Sequence, residues 1–467
     1  MLHLCIQKVP GNSIIKQIFD QIRNRILNGE LTANEKIAST REMALNLGIS
    51  RSTVMTAYEM LIAEGYINSV PGSGFFVTEG AKLTKLPEKV LDYHLTPFTS
   101  EKLRVGSIDF HSGTPALDLF PRNKWNRVTS QALNEAPISA LGYDFPQGRP
   151  ELRNVLAVYL KKSRGIRCNP DQIIITTGTK QGLTLVAKCL LQTGSEAWIE
   201  DPSNNNVHKI FSYHTDRITP IAVDREGIRP ELFPVGQRPA LIFVTPSHQF
   251  PLGGILPIQR RLELIQFARI TGCFIVEDDY NSEFRYKGLP VSSLQELDRE
   301  RVIYTGTFSK ILFPSIRLGY VVLPDFLVEK CKELKQLGDH HTNSLNQLAL
   351  LRFIESGELE RHITRMKKIY QKRRDALIAM LNAYFPGKVK ISGEKAGMHV
   401  IAEFSEVVFT PDLIRKIEQA GVNTISVEDH SVIKGSHTHQ IILGYSHLSL
   451  AEIAEGLLRL KNTLALK

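Results

Sequence analysis

A chain of 467 residues is too long for one simple domain, and two or three folded units are expected. Hydrophobic residues make up 42% and charged residues 22%, which excludes a disordered or collagen-like chain, and a net charge of +9 permits contact with nucleic acid without requiring it. Five scattered cysteines with no C-x-x-C pair imply neither a disulfide framework nor a zinc site. No apolar run reaches the roughly 18 residues of a membrane span, and MLHLCIQKVPGNS lacks the layout of a signal peptide, so a cytoplasmic protein with no membrane partner is expected.

In chain order, residues 12–80 read as one compact domain. Ile14, Ile15, Ile18, Phe19, Ile22, Ile26 and Leu27 recur at helical spacing and are closed by Gly29. A short second helix is expected from Ser39, with Glu42 at the spacing of a capping box. Leu47-Gly48-Ile49 makes a turn, and a third helix starts near Ser50 with Val54, Ala57, Tyr58, Leu61 and Ile62 on one face. INSVPGSGFFV then reads as a β-hairpin around Pro71-Gly72-Ser73-Gly74. Residues 81–107 form an expected linker with room for one short helix. A larger domain, 108–467, follows. Its apolar runs at 173–176, 197–200, 241–245, 273–277 and 302–306 alternate with helical patterns, which predicts a mostly parallel sheet covered by helices on both faces. Helical patterns dominate after about residue 325, and the final hundred residues mix strands and helices as a smaller α+β subdomain does.

Two helices joined by a tight turn can place the second in a DNA major groove. Residues 1–85 hold nine Lys/Arg against seven Asp/Glu, so charge alone does not carry this reading; the motif does. On the third helix the apolar face packs inward and leaves Arg51, Ser52, Thr53 and Thr56 near its N-terminus or outer side, within reach of base edges and phosphates. The plainer reading is a small helical module in which Ser39 and Ser50 are only helix caps. STREMALNLGISRSTVMTAYEMLIAEGYINSVPGSGFFV, residues 39–77, resembles the GntR family of winged helix-turn-helix regulators. The resemblance implies Arg41, Arg51, Ser52, Thr53 and Gly72 as DNA contacts, with Ala38 where the family usually has proline.

Three segments of the larger domain carry chemistry. TTGTKQG (176–182) follows an apolar strand and opens a helix, so Gly178 and Thr179 can cradle a phosphate at a helix N-terminus. FIVEDDYNSEF (274–284) ends a strand in acids; Asp278 and Tyr280, two apart, share a face of an extended chain. YTGTFSKILFPSIRLGY (304–320) sets Lys310 between hydroxyls and Arg317. Each has a bland reading as a turn, a solvated loop or a surface lysine. Together they meet the needs of pyridoxal 5'-phosphate (PLP): Lys310 for the Schiff base, Asp278 for the pyridine nitrogen, Tyr280 near the phenolic oxygen, and Thr307, Ser309 and Arg317 for the phosphate.

These residues match the fold-type I aminotransferases, and the whole chain from about 12 to 460 resembles the MocR family. The fold so implied is a mainly α winged helix-turn-helix, a linker and an α/β aminotransferase-like domain with a small C-terminal α+β subdomain. The resemblance implies operator DNA, a homodimer, and an effector that is PLP or a small amino compound. It implies a sensor rather than a metabolic enzyme; a working aminotransferase with an appended DNA-binding domain is the alternative. Two departures bear on the choice. Asn204 stands where the family places an aromatic ring over PLP, and Ile442 stands where an arginine commonly clamps a substrate carboxylate. Two residues keep two readings each: His248 contacts the phenolic oxygen or is a solvated loop residue, and Lys180 contacts the phosphate or is simply exposed.

Overall fold

The structure, a computed structural model, describes residues 4–7, 13–81, 106–288 and 291–465. The chain divides into two compact units, Met1–Ser100 and Glu101–Lys467. Most of the expected linker, with its short helix, falls on 82–105, outside the described residues. Among the described residues no helix is long and apolar enough to cross a membrane.

The first unit holds helices Ile14–Leu27, Thr40–Leu47 and Arg51–Ala63. Its sheet has the hairpin strand Gly74–Val77 between Ile67–Val70 and the short Lys36–Ile37. Ile18, Phe19, Ile22 and Ile26 of the first helix pack on Met43, Val54, Tyr58 and Leu61. Ser39 Oγ accepts from Glu42 N at 3.2 Å, and among the described residues nothing returns from the Glu42 side chain, so half of the expected capping box forms. Gly48 closes this helix in the left-handed region, φ 59°, where a Cβ would be strained. Ile62 departs from expectation. It is 37% exposed, because one residue past buried Leu61 a helix has turned ~100° away from the core.

The second unit is built on an eight-stranded sheet. Its order is Ile173–Thr176, Gly319–Val322, Val302–Thr307, Phe274–Asp279, Leu241–Val244, Glu196–Asp201, Arg217–Asp224 and Gly227–Ile228. The strands from Val302–Thr307 to Arg217–Asp224 run parallel, whereas Gly319–Val322 is antiparallel to both neighbours. The five expected runs are all strands, and four of those strands are buried along their length, as a sheet covered on both faces requires. Trp198, fully buried, packs with Phe233 and Phe267 on one side of the sheet, while Trp125 meets Phe120, Phe313 and Phe353 in another cluster. After the helices Asp325–Asp339, Ser344–Glu355 and Glu358–Tyr384, a four-stranded antiparallel sheet, ordered Lys390–Ser392, His399–Glu403, Gln440–Gly444 and Ile425–Ser426, forms the smaller C-terminal layer.

Candidate functional site

In a parallel sheet the strand ends all point one way, and the loops beyond the carboxyl ends converge. Here they enclose a cavity of about 380 Å³ lined by Thr179, Asn204, Thr245, Asp278, Tyr280, Thr307, Ser309, Lys310 and Arg317 among others. Strand pairing sets the centre of it. Asp278 lies opposite Thr305 in the parallel ladder, and Thr305 Oγ1 donates to Asp278 Oδ1 at 2.8 Å. Burial pushes the Asp278 carboxyl up to about 7, the Thr305 bond opposing and the Asp279 charge adding to it. Alternation sends Asp279 the other way, where it accepts from Tyr304 at 2.6 Å and pairs with Arg164 at 2.7 Å. Lys310 follows the next strand, and its Nζ donates to the Gly113 carbonyl at 2.7 Å. Burial draws its pKa below the ordinary lysine value; Asp278 opposes and Lys180 adds to the lowering.

The other end of the cavity is made for an anion. Gly178, φ 107°, caps the helix Thr179–Leu190, whose first amides face outward. A Cβ on Gly178 would stand 3.1 Å from an Arg317 guanidinium nitrogen, so the close approach needs glycine. Arg317 itself is held at φ 50°, left-handed, and no carboxylate among the described residues pairs with it. Ser309 Oγ is buried without a hydrogen-bond partner, and Thr307 Oγ1 accepts from Ser309 N at 3.2 Å. An unpaired guanidinium, an orphaned hydroxyl and a helix N-terminus together suit a phosphate. A buried carboxylate with no cation but Lys310 near it suits a protonated pyridine nitrogen.

His248 requires a correction. It is 2% exposed, is not a solvated loop residue, and does not line the cavity. It stands behind Tyr280, with Nδ1 3.0 Å from the Tyr280 hydroxyl and Nε2 3.3 Å from the Gly393 carbonyl. Burial pushes it down to about 3, which keeps the ring neutral. Asn204 caps the helix Asn205–Ser212 by accepting from Asn206 N at 3.1 Å, and it lines the cavity. Ile442 is buried against Ile401 and Val427, outside the cavity lining. Lys180 is exposed and lines the cavity. Sequence reasoning passed over Ser112, Gly113, Phe250, Asn281, Met398 and His399, which also line it. Their signal was three-dimensional: Met398 and His399 belong to the smaller sheet's approach, more than a hundred residues from the strand that carries Asp278.

In the first unit Ser50 Oγ accepts from Thr53 N at 3.2 Å and starts the third helix. It also lies 2.7 Å from Thr53 Oγ1, so that hydroxyl is drawn into the cap, and 2.9 Å from Ser52 Oγ. Arg41, Arg51, Ser52, Thr56 and Gly72 are all exposed. Arg51 Nε leans toward Thr40 Oγ1 at 3.4 Å, and Thr56 Oγ1 turns back to the Ser52 carbonyl at 3.1 Å.

A winged helix-turn-helix joined to an aminotransferase-like domain defines a class of DNA-binding regulators, and comparison with known proteins agrees. Residues 14–77 match the family model of bacterial regulatory proteins, gntR family, and residues 107–437 match that of aminotransferase class I and II. The HTH-type transcriptional regulator YhdI of Bacillus subtilis is 35% identical over 98% of this chain and 97% of its own. The probable rhizopine catabolism regulatory protein MocR of Rhizobium meliloti is 34% identical over 96% of this chain and 93% of its own. The α-aminoadipate aminotransferase LysN of Thermus thermophilus, solved with N-(5'-phosphopyridoxyl)-L-leucine, superposes with a TM-score of 0.71 at 29% identity, covering 78% of this chain and 94% of that one. The chain belongs to the MocR family of transcriptional regulators.

Proposed function

We propose that this regulator works in the cytoplasm as a homodimer, reads operator DNA with Arg41, Arg51, Ser52, Thr53, Thr56 and Gly72, and senses PLP or a small amino compound in its large domain. The observation that carries the reading is the meeting of Lys310, Asp278, Tyr280, Thr179, Thr307, Ser309 and Arg317 around one cavity. PLP supplies there an aldehyde that captures amines and a ring that withdraws electrons. Lys310 holds the cofactor through its Nζ, which burial favours in the unprotonated, nucleophilic form. Asp278 would pair with the pyridine nitrogen, and the Tyr280 hydroxyl, backed by His248, would reach the phenolic oxygen. Gly178, Thr179, Thr307, Ser309 and Arg317 would hold the phosphate. The apolar packing of Ile442 favours a sensor over a transaminase, because turnover of an amino acid needs a carboxylate anchored through two half-reactions.

The test compares PLP-free and PLP-loaded protein on one operator. A change in affinity of about 5- to 150-fold, or a changed footprint, is expected for a coupling of 1–3 kcal/mol. Equal affinity and equal footprint, with no amine altering either, overturns the sensor reading; sustained transamination of a common α-amino acid favours the enzyme.

A further inference from the structure

We propose that the effector is a primary amine without a carboxylate, recognised at its far end through a hydroxyl by His399. This rests on the PLP reading above, which gives the amine end its place at Lys310. The cavity is polarised. The cations in its lining are Lys180, Lys310 and Arg317. Arg317 packs on Gly178, Lys180 lies in the first turn of the helix that Gly178 caps, and the Lys180 charge is felt at Lys310, so all three serve the phosphate and aldehyde end.

The lining also holds the neutral Phe250, Met398, His399 and Asn281. Behind Phe250 lie Ile401, Val427 and Ile442, with the His430 ring edge-on to Phe250 at 5.0 Å. Arg285 runs beside Gly288 and is not in the lining. His399 is 1% exposed, and its Nε2 lies 2.8 Å from the Pro251 carbonyl, an acceptor, which places the proton on Nε2. Burial holds the ring neutral, down to about 4. Nδ1 is then a lone pair, and no described residue donates to it. Asn281, also 1% exposed, has its Nδ2 donor buried without a partner. The open Nδ1 acceptor matches a hydroxyl, which can donate to it. A carboxylate only accepts; it would oppose the Nδ1 lone pair, and Arg285, the cation felt at the neighbouring His248, is outside the lining.

The experiment uses the full-length PLP-loaded protein and a matched pair of probes, serinol and serine, which differ by a hydroxymethyl group in place of the carboxylate. Binding is followed by calorimetry and by the visible spectrum. Serinol is expected to bind about tenfold tighter or more. H399L should reduce that preference about five- to tenfold while leaving the visible band in place, and H399N, with an amide oxygen near the Nδ1 position, should retain most of it. The ligand pair tests the unaltered protein, so misfolding of a variant does not rescue the idea. Equal or tighter binding of serine, or response to neither probe, overturns it. Failure of the protein to take up PLP at all overturns instead the reading on which it rests.

Discussion

Lys310 is one side chain in a small electrostatic set, and its neighbours make it testable. Lys310→Ala should lose the visible absorption of lysine-bound PLP, while the phosphate cradle still retains the cofactor weakly; borohydride fixation mapped to another lysine would refute the assignment. The rate of PLP capture should climb with pH and level off below the ordinary lysine value of ~10.4, because burial has already lowered the Lys310 pKa. Lys180 contributes to that lowering, so Lys180→Ala should move the midpoint of the pH profile upward, and an unmoved midpoint would remove Lys180 from the set. Arg51 is the corresponding single residue on the DNA side. It is exposed in the first turn of the third helix. Arg51→Ala should weaken operator binding by about 1–3 kcal/mol with no change in melting temperature. Unchanged affinity at matched salt would count against that helix as the reader of bases.

Among the elements, the join between helix Pro150–Arg164 and helix Ser344–Glu355 depends on polar bonds as well as apolar contact. Asp144 pairs with Arg149 at 2.7 Å and accepts from Ser344 Oγ at 2.7 Å, and Gln347 Oε1 accepts from Arg149 N at 2.8 Å. Burial raises the Asp144 pKa, but bonds from Ser344, Phe145 and Arg149 outweigh it and leave the carboxyl below its ordinary value. A depressed folded value means stability that is present above the unfolded value and lost as pH falls through the folded one. Asp144→Asn should therefore cost about 1.5–3 kcal/mol at neutral pH, a gap that starts to narrow near pH ~4 and closes as pH falls through the lower folded value. Denaturant titrations at several pH values would show it, and a gap independent of pH would disprove the charge argument. The helices Ile14–Leu27 and Arg51–Ala63 were legible in the sequence because their apolar spacing is local. So were the parallel strands, whose unbroken apolar runs announce burial on both faces. Gly319–Val322 was hidden inside a motif read for its lysine and arginine, since nothing local says that a strand reverses and inserts between two others. For the same reason Lys310, Asp278 and Arg317 could be found from chemistry in short segments, whereas Phe250, Asn281 and His399 line the cavity only because distant loops converge.

For the whole molecule, the surface argues for a second copy. Ile138, Leu141, Tyr143 and Phe145 are 89%, 64%, 85% and 57% exposed within eight residues, an apolar run that a lone domain seldom leaves in water. The double variant Ile138→Glu, Leu141→Glu should sediment as a monomer if this run is the dimer contact, and a persistent dimer would place the contact elsewhere. The two tryptophans have a different kind of consequence. Trp125 and Trp198 are the only ones in the chain, and both lie inside the PLP-binding unit. The DNA-reading unit is therefore dark in tryptophan fluorescence. Cofactor loading should quench the emission by energy transfer to the PLP chromophore, whereas DNA bound to the small unit alone leaves it untouched. A change in emission when operator is added reports an event in the large unit, so the unlabelled protein carries its own optical reporter of that unit's response.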